Sequence, residues 1–589
     1  MTVRNRARVH RGIVQFGDHG EVDRTNPDRQ IPDNVSMLTS HPPASATGAE
    51  GRPAPLVGSP CPLTPAVDPE ALAADAVAVV ARWLTTAHGH ETVTERRRAD
   101  RMRGIIDDPT GVGFTMRFVD RVARHRRDTL AAEQLARLVA DGDLPGFLGR
   151  GDRLLLGLGA RLATALPRLV MPVARRRLRG LVGHLVVDAA PGSVHAHLVR
   201  CRSEGYDLNV NLLGEAVLGE AEASRRFERT LARVEDPEVD HVAFKGSAIA
   251  SQLNLWAFDH TLTRVKDRLR ILYQRAAAAP TSTGQPTFVN LDMEEYRDLE
   301  LTLQAFTKLL DEPDLRGIDA GIVLQAYLPD AFGALRRITA WAGARKDAGG
   351  GEVKVRLVKG ANLAMERVDA ALHGWVQAPY DTKAEVDANY KRCVDWALRP
   401  VHTRAVRIGL ASHNLFDVAW AHLLAEARGV ADRVEFEMLQ GMAPAQARTV
   451  RDDVGDLLLY TPIVGRRDFD VAVSYLFRRL EENSSDQNFL RHLFSLQPGT
   501  PEFAEQARLF RAAVAGRWDI ADLPRRETER PPSGEGQFRN HPDTDPTLPA
   551  TQTRVVSVSA RPFEPAHTPV TTTVAVSYTH LPLPTICSV

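Results

Sequence analysis

The segment Val355-Arg-Leu-Val-Lys-Gly-Ala361 closes a run of β-branched and apolar residues, Val353–Val358, with a glycine. A glycine at the end of a strand lets a ligand or another backbone approach closely. Arg356 and Lys359 place two cations beside that point, and two cations suit an anionic group. The segment therefore predicts a strand whose carboxyl end carries a functional site.

Seven further segments have the same strand-like character, namely Tyr206–Leu212, His241–Phe244, Thr287–Asp292, Gly321–Ala326, Val406–Ser412, Val434–Leu439 and Asp456–Tyr460. Between them lie stretches with helical spacing, among them Glu215–Leu231, Glu295–Leu310, Asp387–Leu398 and Leu415–Glu426. Eight strands alternating with helices over roughly 280 residues predict an α/β protein with a (βα)8 barrel. An open doubly wound sheet is the alternative, but no G-x-G-x-x-G follows the first strand.

The composition changes along the chain and predicts five regions. Residues 1–65 are rich in Pro, Gly, Ser, Asn and Asp, which is typical of a disordered segment. Residues 66–204 carry Ala, Leu, Val and Arg at helical spacing and predict an all-helical arm domain. The barrel is predicted over 205–500, followed by a helix and linker over 501–550. The last residues, Ser577–Val589, resemble translated library DNA, and we interpret residues 551–589 as a non-native or disordered tail.

Charge and cysteine content narrow the classes of partner. Lysine plus arginine and aspartate plus glutamate both number 74 in 589 residues, so nothing favours nucleic acid as a partner. The four cysteines are far apart, give no metal-ligand spacing and fit a reducing cytoplasm. Leu154–Ala190 is apolar but is interrupted by arginines and prolines. It predicts buried helices, with peripheral contact at the inner face of a membrane as the alternative.

Reactive groups of such barrels lie at the carboxyl ends of the strands. Here those positions hold Lys245, Asp292, Gln325, Arg356, Lys359, His413, Leu439 and Tyr460. After the last strand, Tyr475-Leu-Phe-Arg-Arg-Leu-Glu-Glu-Asn483 sets Arg478 and Arg479 four and three residues before Glu482. On a helix these groups can meet, and two guanidinium groups with a carboxylate suit a small zwitterion such as an amino acid. The alternative is a solvated, salt-bridged helix face.

Several of these segments together resemble the proline dehydrogenases, and in particular the proline dehydrogenase half of the bifunctional enzyme proline utilization A. The resemblance covers about residues 70–545 and rests on Leu291-Asp-Met-Glu-Glu295, Val323-Leu-Gln-Ala-Tyr327, Arg356-Leu-Val-Lys-Gly-Ala361, Phe436-Glu-Met-Leu-Gln-Gly-Met442 and Tyr475–Asn483. It implies a distorted (βα)8 barrel that holds FAD without a covalent link. It also implies oxidation of L-proline to 1-pyrroline-5-carboxylate by hydride transfer to flavin N5, with electrons passed on to a quinone.

The resemblance also implies roles for single residues. Arg356 would lie near flavin N5, and Asp292 and Lys245 would complete the catalytic set. Proline would be bound by Lys245, Leu439, Tyr460, Arg478, Arg479 and Glu482. The cofactor would be contacted by Asp292, Gln325, Arg356, Val358, Lys359, Gly360, Ala361, Thr382, Lys383, Ser412 and His413, and no metal is implied.

The chain departs from the family pattern at Asn362 and Leu363, where better-known bifunctional members have aromatic residues that can pack on the cofactor. The second half of those enzymes is an NAD-dependent glutamate-semialdehyde dehydrogenase, and only 39 residues follow Ala550 (589 minus 550). We therefore expect that activity to be absent from this chain. Two other functions stay open: a flavin-free barrel lyase with Lys245 or Lys359 as a Schiff-base nucleophile, and an inactive scaffold.

Overall fold

The structure is a computed structural model. It describes residues 67–560 except 109, 124, 126, 143, 183, 215–216, 279–280, 466–471, 473–474, 476–488, 494–495 and 527–541. All described residues belong to one compact unit, Pro65–Val589. The predicted disordered segment 1–65 and the residues after 560 lie outside the described part of the chain, and their boundaries stay predictions.

In the described part of the chain, seven α-helices precede the barrel strands: α1 Ala71–His90, α2 Val93–Asp107, α3 Gly111–Phe118, α4 Asp128–Ala140, α5 Arg150–Ala163, α6 Pro167–Val182 and α7 Pro191–Ser203. Helices α3 to α6 bury a small core of their own around Phe114, Leu135 and Met171. Helix α1 instead contributes Trp83 and Leu84 to the large core of the barrel. The predicted helical region before the barrel is therefore confirmed, and its first helix packs on the barrel.

Among the described residues, nine parallel strands form one sheet: β1 Val187–Asp188, β2 Asp207–Leu212, β3 His241–Lys245, β4 Phe288–Asp292, β5 Ala320–Gln325, β6 Val353–Val358, β7 Val406–Ala411, β8 Val434–Leu439 and β9 Leu457–Val464. Strands β2 to β9 pair in chain order, and β9 pairs with both β8 and β2. The sheet is therefore a closed eight-stranded barrel, to which β1 adds a short ninth strand beside β9. The (βα)8 prediction is confirmed, and the open doubly wound alternative is wrong.

The described helices around and after the barrel are α8 Glu220–Val234, α9 Gly246–Ile249, α10 Phe258–Ala278, α11 Leu299–Leu310, α12 Asp330–Asp347, α13 Leu363–His373, α14 Lys383–Ala397, α15 Pro400–Thr403, α16 Leu415–Ala427, α17 Pro444–Val454, α18 Phe489–Leu493, α19 Pro501–Ala515 and α20 Pro549–Ser559. They cover the outer face of the sheet, so the strands are buried on both sides, as parallel sheets generally are. Among the described helices, none combines the length and the apolar character needed to cross a lipid bilayer.

Candidate functional site at the carboxyl ends of the strands

The strand register brings the predicted residues of the barrel rim together in pairs. Lys245 is the Cα partner of Asp292, and Leu439 is the partner of Tyr460. Gln325, the last residue of β5, is the partner of Val358 at the end of β6. Because all strands are parallel, these carboxyl ends lie on one rim of the barrel.

Arg356 is the centre of a buried network inside this rim. Its Nη1 donates to Asp292 Oδ1 at 2.9 Å, and its Nε donates to Glu437 Oε2 at 2.6 Å. The guanidinium lies over the ring of Tyr460, 5.4 Å from the centroid, and the Tyr460 hydroxyl donates to Asp292 Oδ2 at 3.1 Å. Asn290 Nδ2 also donates to Asp292 Oδ1, at 2.8 Å. Residues of three other strands, β4, β8 and β9, thus hold the guanidinium of Arg356 in place.

The electrostatics of this network follow from burial and charge pairing. Burial alone would lower the pKa of Arg356, but Glu437 and Asp292 outweigh it and raise that pKa above its ordinary value. Burial raises the pKa of Asp292 against the opposing effect of Arg356. Burial would also raise the pKa of Glu437, but Arg356 and Lys354 lower it. We infer a permanently charged Arg356 paired with a charged Glu437.

Glu437 also binds a second cation, which lies further from the rim than Arg356. Lys354, two residues before Arg356 on β6, places its Nζ 2.7 Å from Glu437 Oε1 and also binds Glu435. Gly409 on the intervening strand β7 makes room for this pair, because a Cβ there would lie 2.7 Å from Lys354 Cε and would overlap the Glu437 carboxylate. Because residue 409 on β7 is a glycine, Lys354 on β6 and Glu437 on β8 can form an ion pair across β7.

Gln325 Oε1 and Arg356 Nη2 at the rim are among the buried polar atoms that have no hydrogen-bond partner in the described part of the chain. The amide nitrogen of Gln325 donates to the carbonyls of Met293 and Glu294, at 2.8 and 3.2 Å, so its orientation is set. A buried donor and a buried acceptor without partners are costly, and such groups occur where a ligand completes the hydrogen bonding.

Lys245 and Lys359 are both ion-paired, but on different sides of the barrel wall. Lys245 binds Glu294 at the rim. Lys359 Nζ lies 2.5 Å from Asp387 on α14 and 2.7 Å from Asp417 on α16. Lys359 thus faces the helices, whereas Arg356 of the same segment faces the barrel interior. The two cations that the sequence places beside Gly360 therefore have different partners. The predicted cofactor contact of Lys359 stays a prediction.

The loop after β6 is built around glycine. Gly360 has φ +114°, and a Cβ there would lie 2.6 Å from the ring of Tyr327, so only glycine fits. Ala361 is exposed, Asn362 is buried before α13, and Leu363 is the first residue of that helix. The structure thus shows an open approach to the backbone at Gly360 and Ala361.

The remaining predicted cofactor residues have local structural roles. Thr382 caps α14, because its side chain and that of Glu385 form a reciprocal capping box, and Lys383 binds Asp387. Ser412 Oγ donates to Asp417 Oδ2 at 3.2 Å. His413 Nε2 accepts a hydrogen bond from the Leu439 amide at 2.9 Å. Arg478, Arg479 and Glu482 lie outside the described residues, and their predicted role is not tested.

Glu437, Lys354 and Gly409 were missed from the sequence, although alternation offered a signal. In a strand, residues two apart share a face, so Glu435 and Glu437 share the face of Leu439. Two acidic residues on the inward face of a strand need cations, and Lys354 and Arg356 have the matching spacing on β6. The pairing across β7 could not be derived without the barrel geometry.

Asp298 is a buried carboxyl close to Glu294 and Glu295, directly before α11. Burial and the charge of Glu295 raise the pKa of Asp298 to about 7. A carboxyl whose pKa is higher in the folded state stabilises the fold below its ordinary pKa of 3.8 and loses that contribution as pH rises through about 7.

We therefore expect Asp298→Asn to raise stability more at pH 8 than at pH 5, because only part of the penalty has developed at pH 5. The difference between 3.8 and about 7 corresponds to roughly 4 kcal/mol, an upper value for the gain. Urea unfolding at the two pH values measures it, with exposed Asp519→Asn as the control. An equal effect of Asp298→Asn at both pH values would contradict the prediction.

Comparison with known proteins places this site in a family. The family description Proline dehydrogenase matches residues 194–492, which includes every strand of the closed barrel. A proline dehydrogenase of Deinococcus radiodurans is 25% identical over 327 residues, 54% of this chain and 92% of that protein. The bifunctional protein PutA of Escherichia coli is 25% identical over 312 residues, 51% of this chain but 23% of its own length.

Comparison with solved structures also finds similar proteins of this kind. Proline utilization A from Corynebacterium freiburgense is 46% identical with a TM-score of 0.58, covering 70% of this chain and 39% of that chain. Proline utilization A from Bdellovibrio bacteriovorus, in a form inactivated by N-propargylglycine, is 27% identical with a TM-score of 0.65, covering 82% and 48%. The chain spans less than half the length of each of these two solved proteins. From the family match and these likenesses, the chain belongs to the proline dehydrogenase family.

Proposed function

We propose that this chain oxidises L-proline to 1-pyrroline-5-carboxylate at the barrel rim, with FAD as the cofactor. The observation that carries the proposal is the buried Arg356, which is fixed by Asp292 and Glu437 while its Nη2 has no partner among the described residues. In a chain of the proline dehydrogenase family, a charged donor held at the rim suits a group that gains negative charge during the reaction.

The rim residues fit a flavin. Arg356 Nη2 and Gln325 Oε1 offer a donor and an acceptor on neighbouring strands, and isoalloxazine carries groups of both kinds. Gly360 and Ala361 are exposed to solvent, so a ligand can reach their backbone. Asp292, Val358, Lys359, Thr382, Lys383, Ser412 and His413 are the further proposed contacts. When bound, FAD supplies the two-electron acceptor for the carbon beside the proline nitrogen.

The chain's own residues would bind and orient the substrate. Arg478 and Arg479 would bind the proline carboxylate, with Glu482 holding them in place. Leu439 would pack on the proline ring, while Lys245 and Tyr460 complete the pocket. The amine must be neutral to release electrons, and a cationic pocket favours loss of its proton. The Asp292–Arg356–Glu437 network would keep the guanidinium rigid throughout, so that little reorganisation opposes the reaction.

The lyase alternative receives no support from the two lysines. A Schiff-base lysine must be neutral in an apolar setting, whereas Lys245 binds Glu294. Burial would lower the pKa of Lys359, but Asp387 and Asp417 outweigh it and raise that pKa. A charged ammonium with two carboxylate partners is a poor nucleophile.

The electron acceptor is proposed to be a membrane quinone, which would require the protein to reach a membrane surface. To test the proposed activity, purified protein is mixed with L-proline and a soluble redox dye, and the product is identified by mass spectrometry. Dye reduction with formation of pyrroline-5-carboxylate supports it. Proline cleavage without dye reduction would favour the lyase, and the absence of any turnover would favour the inactive scaffold.

Replacing Arg479 by Met is expected to raise the KM for proline about 10- to 150-fold, because charge-assisted hydrogen bonds contribute roughly 1.5–3 kcal/mol. Arg478→Met should raise the KM for proline to a similar extent. The FAD content of both variants should stay near that of the parent. Steady-state kinetics and flavin absorbance measure both quantities, with exposed Arg508→Met as the control. An unchanged KM with an empty flavin site would contradict this division of the site.

A further inference from the structure

The ion pairs of Arg356 continue into a row of alternating charges that runs through the barrel interior. The six members of this charge row, in order from the rim, are Asp292, Arg356, Glu437, Lys354, Glu435 and Arg407. The two cations on β6 are two residues apart, as are the two carboxylates on β8, so each strand presents its charges on one face. Branched apolar side chains usually fill the interior of such barrels, so packing alone does not account for the charge row.

The middle of the charge row is removed from solvent. Arg356, Lys354 and Glu437 are each only 2% exposed. The far end reaches water, since the side chains of Glu435 and Arg407 are 17% and 42% exposed. Water and salt screen a buried charge far less than an exposed one, so Glu437 and Lys354 act on Arg356 more strongly than surface charges would. The charge that Arg356 presents at the rim therefore depends on these two partners.

Glu437 and Lys354 act on the rim in opposite directions. Glu437 Oε2 accepts from Arg356 Nε at 2.6 Å, so its negative charge offsets part of the guanidinium charge. Lys354 Nζ lies 2.7 Å from Glu437 Oε1 and in turn offsets part of the charge of that carboxylate. Strand β7 pairs with both β6 and β8, so the sheet itself already holds these two strands in register. The ion pair is therefore not required for the strand order, and it places two opposite charges in line with Arg356.

We propose that Glu437 and Lys354 are positioning residues that set the reduction potential of the bound flavin through Arg356. The inference rests on the proposed function, in which Arg356 contacts FAD and proline supplies the two electrons. Positive charge near the isoalloxazine ring favours the reduced cofactor, which carries more negative charge than the oxidised one, and negative charge opposes it. Glu437 therefore lowers the potential and Lys354 raises it, and the intact pair holds the potential between these two extremes.

Redox titration of the flavin-loaded protein against a dye of known potential tests the proposal. Glu437→Gln should raise the equilibrium constant for flavin reduction about tenfold, or about 30 mV for a two-electron couple, because it removes a buried unit charge close to Arg356. Lys354→Met should lower the constant about threefold, since Lys354 lies further from the rim. The variant Lys354→Met/Glu437→Gln removes both charges, so its constant should come within about threefold of that of the parent.

Opposite shifts separate an electrostatic effect from a structural one, because both single variants lose the same ion pair. Glu435→Gln changes a partly exposed member of the charge row, so it should fold readily and raise the constant about two- to threefold. The control Asp395→Asn removes a buried carboxylate that binds Arg428 and Arg517 near the end of α14, outside the barrel interior. This control should lose stability and keep the potential of the parent.

Shifts of opposite sign in Glu437→Gln and Lys354→Met support the inference. It is overturned if proline reduces the flavin and the potential is the same in all variants, or if both single variants shift the potential in one direction. If neither single variant folds, Glu435→Gln decides, because a raised constant supports the inference and an unchanged one overturns it. A parent protein that binds no flavin, or whose flavin proline does not reduce, would overturn the proposed function and this inference with it.

Discussion

Arg356→Met is expected to lower turnover with proline by about 10²- to 10³-fold, the range seen when a preorganised charged or polar donor is removed from a reaction centre. The flavin spectrum or occupancy should change as well, because Arg356 Nη2 is a buried donor at the rim with no partner among the described residues. Stability should fall by roughly 3–5 kcal/mol, since Asp292 and Glu437 lose a buried partner. Stopped-flow kinetics, flavin absorbance and thermal unfolding measure the three effects.

A control separates the loss of a site residue from the loss of a buried cation. Arg345 is also buried, but it donates to the carbonyls of Leu315 and Ile318 before β5 and of Gly351 before β6, at the opposite end of the barrel. Arg345→Met should therefore destabilise the fold while leaving the flavin spectrum and the KM for proline unchanged. If Arg356→Met only destabilised the protein, with normal turnover per folded molecule, its assigned role would be wrong.

Gly409→Ala is expected to destabilise the protein by roughly 3 kcal/mol and to lower turnover, although it adds a single methyl group to a strand. The new Cβ would lie 2.7 Å from Lys354 Cε and overlap the Glu437 carboxylate. The Lys354–Glu437 pair would separate, and disrupting a buried pair costs about 3–5 kcal/mol. Glu437 would then hold Arg356 less firmly, and this links the stability of β7 to catalysis.

Gly333→Ala is the matched control, because nothing lies within 4 Å of a Cβ at that helical position. Alanine is the better helix former by roughly 0.5–1 kcal/mol, so this variant should be slightly more stable and equally active. Urea unfolding and proline kinetics on both variants provide the comparison. Equal stability of the Gly409→Ala and parent proteins would show that the ion pair tolerates the added methyl.

The barrel was predictable because its strands are buried on both faces and therefore form short, nearly continuous apolar runs. The predicted bounds of β6 and β8 agree with the structure, and most others differ by a residue. The last strand was ended at Tyr460, but β9 continues to Val464 through Pro462. Pairing of β9 with β8 ends at Tyr460, so the missing N–H of Pro462 interrupts no bond to β8.

The start of α14 differs from the predicted start because of the residues that cap the helix. The helix was expected from Asp387 but begins at Lys383, because Thr382 and Glu385 form a capping box. Local capping rules would have found this start.

The site was less predictable than the fold, because side-chain partners depend on residues far apart in the chain. The rim positions of Lys245, Asp292 and Arg356 followed from strand ends alone. That Lys359 pairs with Asp387 and Asp417 depends on how α14 and α16 pack on the barrel. The cofactor contacts stay predictions for the same reason, and Arg478 and Arg479 stay predictions because they lie outside the described residues.

Anaerobic addition of L-proline to the purified protein is the most direct test of the central claim. The protein should carry flavin absorbance, and acid denaturation should release that flavin into solution, because the cofactor is proposed to bind without a covalent link. L-proline should bleach the absorbance fully in the parent and Gly333→Ala proteins and far more slowly in Arg356→Met. Protein that is folded but colourless, or whose flavin stays oxidised with excess proline, would contradict the account.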